Sequence, residues 1–112
     1  MRFFRSDRVS EVIRRELAKI ILREVEFEDA LVTITEVLVD KKLEHAKVMV
    51  SVIPSASGPA SLETLQKATG YLQHLLIKKM NIRPMPRIAF AMDRGLENAA
   101  SVEKVFIQQE KD

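Results

Sequence analysis

Val9, Val12, Ile13, Leu17, Ile20 and Ile21 recur every three to four positions, with Arg8, Glu11, Arg14, Arg15, Lys19 and Arg23 between them. That period gathers the aliphatic residues on one face and predicts an amphipathic helix over residues 7–24, with Ser6 or Asp7 available as its cap. Residues 1–5 read as a loose arm. An acidic turn comes next, with Glu24, Glu26, Glu28 and Asp29. The pattern then changes to alternation rich in valine, isoleucine and threonine, which predicts a strand over 31–40. The alternation slips. Val32 and Ile34 share one parity, whereas Val37 and Val39 share the other. One extra residue near Thr35-Glu36, a β-bulge, would return all four to the same side. Asp40-Lys41-Lys42-Leu43 makes a short turn into a second strand over 44–53. There Ala46, Val48, Val50 and Val52 form one face and Lys47, Met49 and Ser51 the other. Strands this close in sequence pair as an antiparallel hairpin.

PSASGPA, residues 54–60, reads as a loop, with Ser61 capping the second helix. From there Leu62, Leu65, Thr69, Leu72, Leu75 and Leu76 hold helical spacing straight through Ala68-Thr69-Gly70. A glycine inside a helix costs about 1 kcal/mol relative to alanine. Two readings stand: one helix that tolerates Gly70 for close packing, or a helix-kink-helix whose bare backbone meets another backbone. Pro84 and Pro86 forbid helix beyond Arg83 and lead into a strand over 88–92. Leu96, Ala99, Val102, Val105, Phe106 and Gln109 predict a final helix, with residues 108–112 a flexible end.

The order is therefore α-β-β-α-kink-α-β-α, a two-layer α+β fold with a three-stranded sheet and helices on one face. The crossover into the third strand is long enough to make it parallel to the second, so the expected spatial order is first-second-third. At 112 residues the chain is one domain with a single core, residues 1–112.

Charge changes the picture more than composition does. Eighteen basic and sixteen acidic residues leave a formal net charge of +2, which alone does not indicate nucleic acid. The distribution is uneven, however. No acidic residue lies between Glu63 and Asp93, a stretch holding Lys67, Lys78, Lys79, Arg83 and Arg87. The first helix carries Arg8, Arg14 and Arg15 on its outer face, beyond Arg5. If these elements pack side by side they make one positive surface able to neutralise phosphates. A solvated basic surface without a partner is the bland alternative. Tyr71 is the only tyrosine and the aromatic residues are few, so phosphate and shape contacts outweigh base stacking.

The chain has no cysteine, which removes disulfides, thiolate chemistry and cysteine metal sites and suits a reducing compartment. The amino-terminal residues lack the apolar run of a signal peptide, and no segment approaches the length of a membrane span. A cytoplasmic, non-membrane location is expected. His45 and His74 are the only histidines, and neither belongs to a catalytic spacing such as HExxH. The acidic turn lacks the alternation of a calcium loop. No catalytic residue, metal ligand or cofactor is expected, and the chain does not read as an enzyme. A small protein-interaction module using the acidic tail is the alternative to an RNA binder.

The order of elements and several local stretches together resemble the ribosome-binding factor A family over nearly the whole chain. They are Arg8-Val9 ahead of the first aliphatic stripe; VTITEVLVD with Leu43, Ala46, Val48 and Val50; Ala68-Thr69-Gly70 followed by Tyr71-Leu72; and Arg83, Pro86, Phe90 and Asp93. The resemblance implies a type II KH fold in which Ala-x-Gly, here Ala68-Thr69-Gly70 at a helix kink, replaces the backbone-clamping Gly-x-x-Gly loop. It implies binding to the free 30S subunit and to 16S ribosomal RNA, with help in late maturation near the 5′ end and a link to growth in the cold. It also implies a monomer without a cofactor, with a GTPase release factor as a candidate partner. The RNA-binding residues expected on this basis are Arg5, Arg8, Arg14, Arg15, Lys67, Lys78, Lys79, Arg83 and Arg87. Three places depart from the family pattern: Asp29-Ala30 where Asp-Pro is frequent, Asp40-Lys41-Lys42-Leu43 where Ser-x-Asp-Leu is common, and Gln73 where an arginine often follows the kink.

Overall fold

A computed structural model describes residues 5–82 and 84–93 of the chain. The final helix expected over 96–109, the flexible ends, Arg83 and the side chain of Arg5 lie outside the described residues. Helix α1 (Arg5–Glu24) leads to strands β1 (Leu31–Val39) and β2 (His45–Ile53); helix α2 (Gly58–Lys79) then crosses to strand β3 (Arg87–Met92). Among the described residues the strands form one sheet in the order β1-β2-β3. β1 and β2 are antiparallel, and β2 and β3 are parallel. The expected topology is thus the observed one. α1 lies over β1 and α2 over β3, with both helices on the same face and in contact with each other.

The core arises from the periodicities. Val9, Ile13, Leu17, Ile20 and Ile21 of α1 are buried against Leu65, Leu72 and Leu76 of α2 and against Ala46, Val48 and Val50 of β2. Ile88 and Phe90 close it beneath α2. The bulge is present, because the register of β1 on β2 shifts between Ile34 and Glu36. Ile34 pairs with Val50, and Val37 pairs with Val48. Thr35 is the extra residue, and its hydroxyl donates to Asp93 Oδ2 at 2.6 Å. Val37 is buried, and Val32, Ile34 and Val39 are half-buried on the same core. Regular pairing would have turned one valine pair outward; the bulge spares the sheet that loss.

The hairpin turn is tied by Asp40. Its Oδ1 accepts from the backbone N–H of Glu44 at 2.7 Å and of His45 at 3.2 Å. Leu43 adopts a left-handed φ of 60° while its side chain is buried. Core burial there outweighs a backbone conformation that a leucine seldom takes.

Two expectations change in the second helix. It begins at Gly58 rather than Ser61, after a short 3-10 turn at Ser55–Ser57. Pro59 suits the first turn of a helix because its missing N–H has no partner there in any case. Ser61 is therefore buried inside the helix and does not cap it. Of the two readings of Ala68-Thr69-Gly70, the continuous helix is the one observed, without a break. α2 is helical throughout Gly58–Lys79, and the Thr69 hydroxyl donates back to the Leu65 carbonyl at 3.0 Å. Gly70 is exposed, and a Cβ built on it would meet nothing within 4 Å. No backbone approaches it among the described residues, so close packing does not explain this glycine.

Candidate nucleic-acid interface

The candidate interface is built by two helices lying side by side in opposite directions. Near the C-terminus of α1, Glu24 Oε1 accepts from the Tyr71 hydroxyl of α2 at 2.9 Å. Beside it on α1, Arg23 and, a little over one turn further back, Lys19 share a groove of about 300 Å³ with Lys78 and Lys79 at the far end of α2. Ile20 and Leu75 line it as well, and Glu16 stands in its wall. Neither Lys78 nor Lys79 has an ion-pair partner among the described residues. Both also sit at the helix C-terminus, where cations offset the partial negative charge of the last carbonyls.

Helical geometry decides which predicted residues join this groove. At about 100° per residue, Arg8, Arg15, Lys19 and Arg23 fall within an arc of about 80° on α1, extending about 22 Å along it. They form a basic stripe along α1, and Lys19 and Arg23 at its C-terminal end reach the groove shared with α2. Arg14 is turned about 140° away from Lys19 by the same count. It pairs instead with Glu11 at 2.9 Å on the opposite flank. On α2, Lys67, Tyr71 and Lys78 fall within an arc of about 40°. Lys67 therefore extends the stripe of Lys78 toward the start of the helix, although it pairs with Glu63 at 3.1 Å. Arg87 stands elsewhere. The inward residues of β3 are Ile88 and Phe90, so Arg87 belongs to the outer face of the sheet, with His45 as its register partner on β2.

The structure thus gathers Lys78 and Lys79 with Lys19 and Arg23 in one groove, places Arg8, Arg15 and Lys67 on stripes that run away from it along the two helices, and separates Arg14 and Arg87 from them. Lys19 and Arg23 were seen in the sequence only as part of a solvated helix face. Their spacing from Arg15 was the available signal, because 15, 19 and 23 repeat every four residues along one stripe. Tyr71 and Glu24 were not foreseen as a link at all. The Glu24 carboxyl is held below its usual range, chiefly by the Arg23 guanidinium and then by the Tyr71 hydroxyl. The Tyr71 phenol is pushed up, because its proton bonds to that carboxylate. This exposed bridge joins the end of α1 to the middle of α2.

Gln73, at the position where the family often has arginine, faces the other flank of α2. Its Nε2 donates to the Pro86 carbonyl at 3.0 Å, and its Oε1 accepts from the Ile88 N–H at 2.8 Å. It closes the free edge of β3 and takes no part in the basic groove. The Ala68-Thr69-Gly70 segment lies at mid-helix without a structural partner for its glycine. His45 is exposed and bonds Asp40 Oδ2 at 3.1 Å, while His74 is exposed on α2.

Comparison with known proteins agrees with this architecture. The family model described as Ribosome-binding factor A matches residues 5–106. Ribosome-binding factor A of Thermomicrobium roseum is 38% identical over 112 residues, covering 96% of this chain and 87% of the relative. That of Caldanaerobacter subterraneus subsp. tengcongensis is 33% identical over 111 residues, covering 96% and 91%. The crystal structure of ribosome-binding factor A from Thermus thermophilus has the same fold at a TM-score of 0.66 and 24% identity, covering 80% of this chain and 98% of that one. A homology model of the Thermus thermophilus factor, fitted into the cryo-electron-microscopy map of a 30S complex with it, gives a TM-score of 0.65 at 24% identity, covering 77% and 92%. With its KH-like α+β fold and a match along nearly its whole length, the chain belongs to the ribosome-binding factor A family.

Proposed function

We propose that this protein binds the free small ribosomal subunit through phosphate contacts and assists late maturation of 16S ribosomal RNA near its 5′ end. Family membership supports the class of target, and a Thermus relative has been fitted into the map of a 30S complex. The observation that carries the reading in this chain is the convergence of Lys19, Arg23, Lys78 and Lys79 on one groove, with Arg8, Arg15 and Lys67 continuing the stripes along both helices. Such a surface neutralises several backbone phosphates and needs no base stacking. The protein acts in this reading as a monomeric cytoplasmic assembly factor without catalysis, and a GTPase is a candidate for releasing it. Arg14 and Arg87, on other faces, contribute less than the groove, while Arg5 and Arg83 stay in the proposed RNA-binding set from the sequence. The exposed backbone at Gly70 offers a second, closely approachable spot.

Co-sedimentation with purified small subunits at several salt concentrations tests this. With six or more phosphate contacts, affinity should fall by roughly 10³ or more between 50 and 200 mM salt. A Lys78→Glu, Lys79→Glu double variant should weaken binding while melting like the parent, because exposed charges contribute little to stability. Binding indifferent to both salt and that double change would point instead to a protein-interaction module.

A further inference from the structure

One polar atom of a residue that lines the basic groove has no partner. Glu16 Oε1 is fully buried and accepts no hydrogen bond among the described residues. Its twin Oε2 lies 3.5 Å from Arg15 Nε and 3.6 Å from Lys19 Nζ, both loose contacts. The Glu16 side chain is 14% exposed, whereas those of Lys19 and Arg15 are 65% and 57% exposed. A carboxylate that stabilised the fold would be expected to make short or bidentate pairs and to satisfy both oxygens. Glu16 does neither, so stability leaves its presence unexplained. Its position offers another explanation: it is an anion set into the wall of a groove whose other charged lining residues are cations.

We propose that Glu16 is a built-in counter-ion of this groove, one that competes with RNA phosphate for Lys19 and Arg15 and so sets how tightly the groove holds RNA. The inference rests on the reading of the groove as an RNA-facing surface. In the free protein Lys19 is partly neutralised by Glu16, so it binds fewer salt ions and releases fewer when RNA arrives. Lys78 and Lys79 carry no such internal partner among the described residues and deliver their full charge. The groove therefore presents less effective charge than its four cations alone would give. A phosphate entering from the α2 side is favoured over one pressed against α1.

Two comparisons test this with the full-length protein and purified small subunits, using fluorescence anisotropy across a salt series. In the parent background, Lys19→Gln should weaken binding clearly less than Lys78→Gln, because Lys19 is already engaged. Glu16→Gln keeps the side-chain shape and should tighten binding roughly three- to tenfold, about the worth of one partly screened charge pair. It should also steepen the slope of log K against log salt by about 0.7–0.9 for each cation released. In a Lys19→Gln, Arg15→Gln background most of that gain should vanish, since Glu16 acts through those two residues. Equal losses from Lys19→Gln and Lys78→Gln would overturn the proposal, and this comparison does not depend on whether Glu16→Gln folds. So would a folded Glu16→Gln that binds as before, or more weakly; weaker binding would make Glu16 a direct acceptor for an RNA hydroxyl or amine. A parent protein whose binding ignores salt would remove the RNA reading itself, a result separate from any of these.

Discussion

Gln73 offers the sharpest test of how the second layer is fastened to the sheet. β3 is an edge strand, and its parallel pairing places the Arg87 N–H on the Glu44 carbonyl at 2.9 Å. The neighbouring Ile88 N–H therefore points away from β2. Gln73 meets it at 2.8 Å and simultaneously donates to Pro86 O at 3.0 Å. Ile88 and Pro86 are both buried, so Gln73→Ala strands a donor and an acceptor where water reaches poorly. Leaving such a group unpaired costs about 1–3 kcal/mol. An unfolding entropy near 2.1 cal/mol/K per residue over 112 residues converts each kcal/mol to about 4 °C. Thermal melts should thus show Gln73→Ala about 4–12 °C below the parent. Gln73→Arg retains a donor for Pro86 but cannot accept from Ile88. Gln73→Glu retains the acceptor but faces the Pro86 carbonyl with negative charge. Both should fall between alanine and the parent or below alanine, and neither should match the parent. Hydrogen exchange at the Ile88 amide should quicken by roughly 5- to 150-fold in Gln73→Ala, the same energy expressed as a ratio. A Gln73→Ala variant melting within about 1 °C of the parent, with Ile88 exchange unchanged, would refute this account of the edge.

Gly70→Ala should raise stability by about 0.5–1 kcal/mol, or about 2–4 °C, because the position is helical and open; a lower melting temperature would mean that the added methyl does meet something. Val37→Asp should abolish the cooperative melt, while Leu38→Asp, on a half-exposed side chain, should shift it little; the reverse result would remove the bulge. Asp40→Ala should lower the melting temperature at neutral pH by freeing the turn. The Asp40 carboxyl is held below its usual value of 3.8, first by the hydrogen bond from His45 and then by the Glu44 N–H. Its contribution is therefore fully present above the unfolded value and lost as pH falls through the folded one. The gap between Asp40→Ala and the parent should be present at neutral pH and close in acid below about pH 4.

Much of the fold was legible in the chain itself, for reasons that are local. The stripe from Val9 to Ile21 has a single helical period, and five of its six residues are buried. The parity change between Ile34 and Val37 could be satisfied on one core only by an extra residue, and the ladder skips Thr35. Proline chemistry placed the start of β3 within one residue and bounded the end of α2, which stops four residues short of Arg83. Those features depend on spacing along one segment, which sequence records directly. The features that escaped depend on what one segment meets in another. Gly70 has the same local cost whether it touches a backbone or open solvent, and only the placement of α2 showed solvent. Gln73 sits fifteen residues from Ile88, and nothing in either segment announces the pairing. Arg14 and Arg15 are adjacent in sequence, yet the turn of the helix sends one toward Glu11 and the other toward Glu16 in the groove wall. Periodicity sorts residues into an inner and an outer face. Which flank of that outer face becomes a groove is decided by where the second helix lies, and burial of Ile20 and Leu65 against a shared core sets that position.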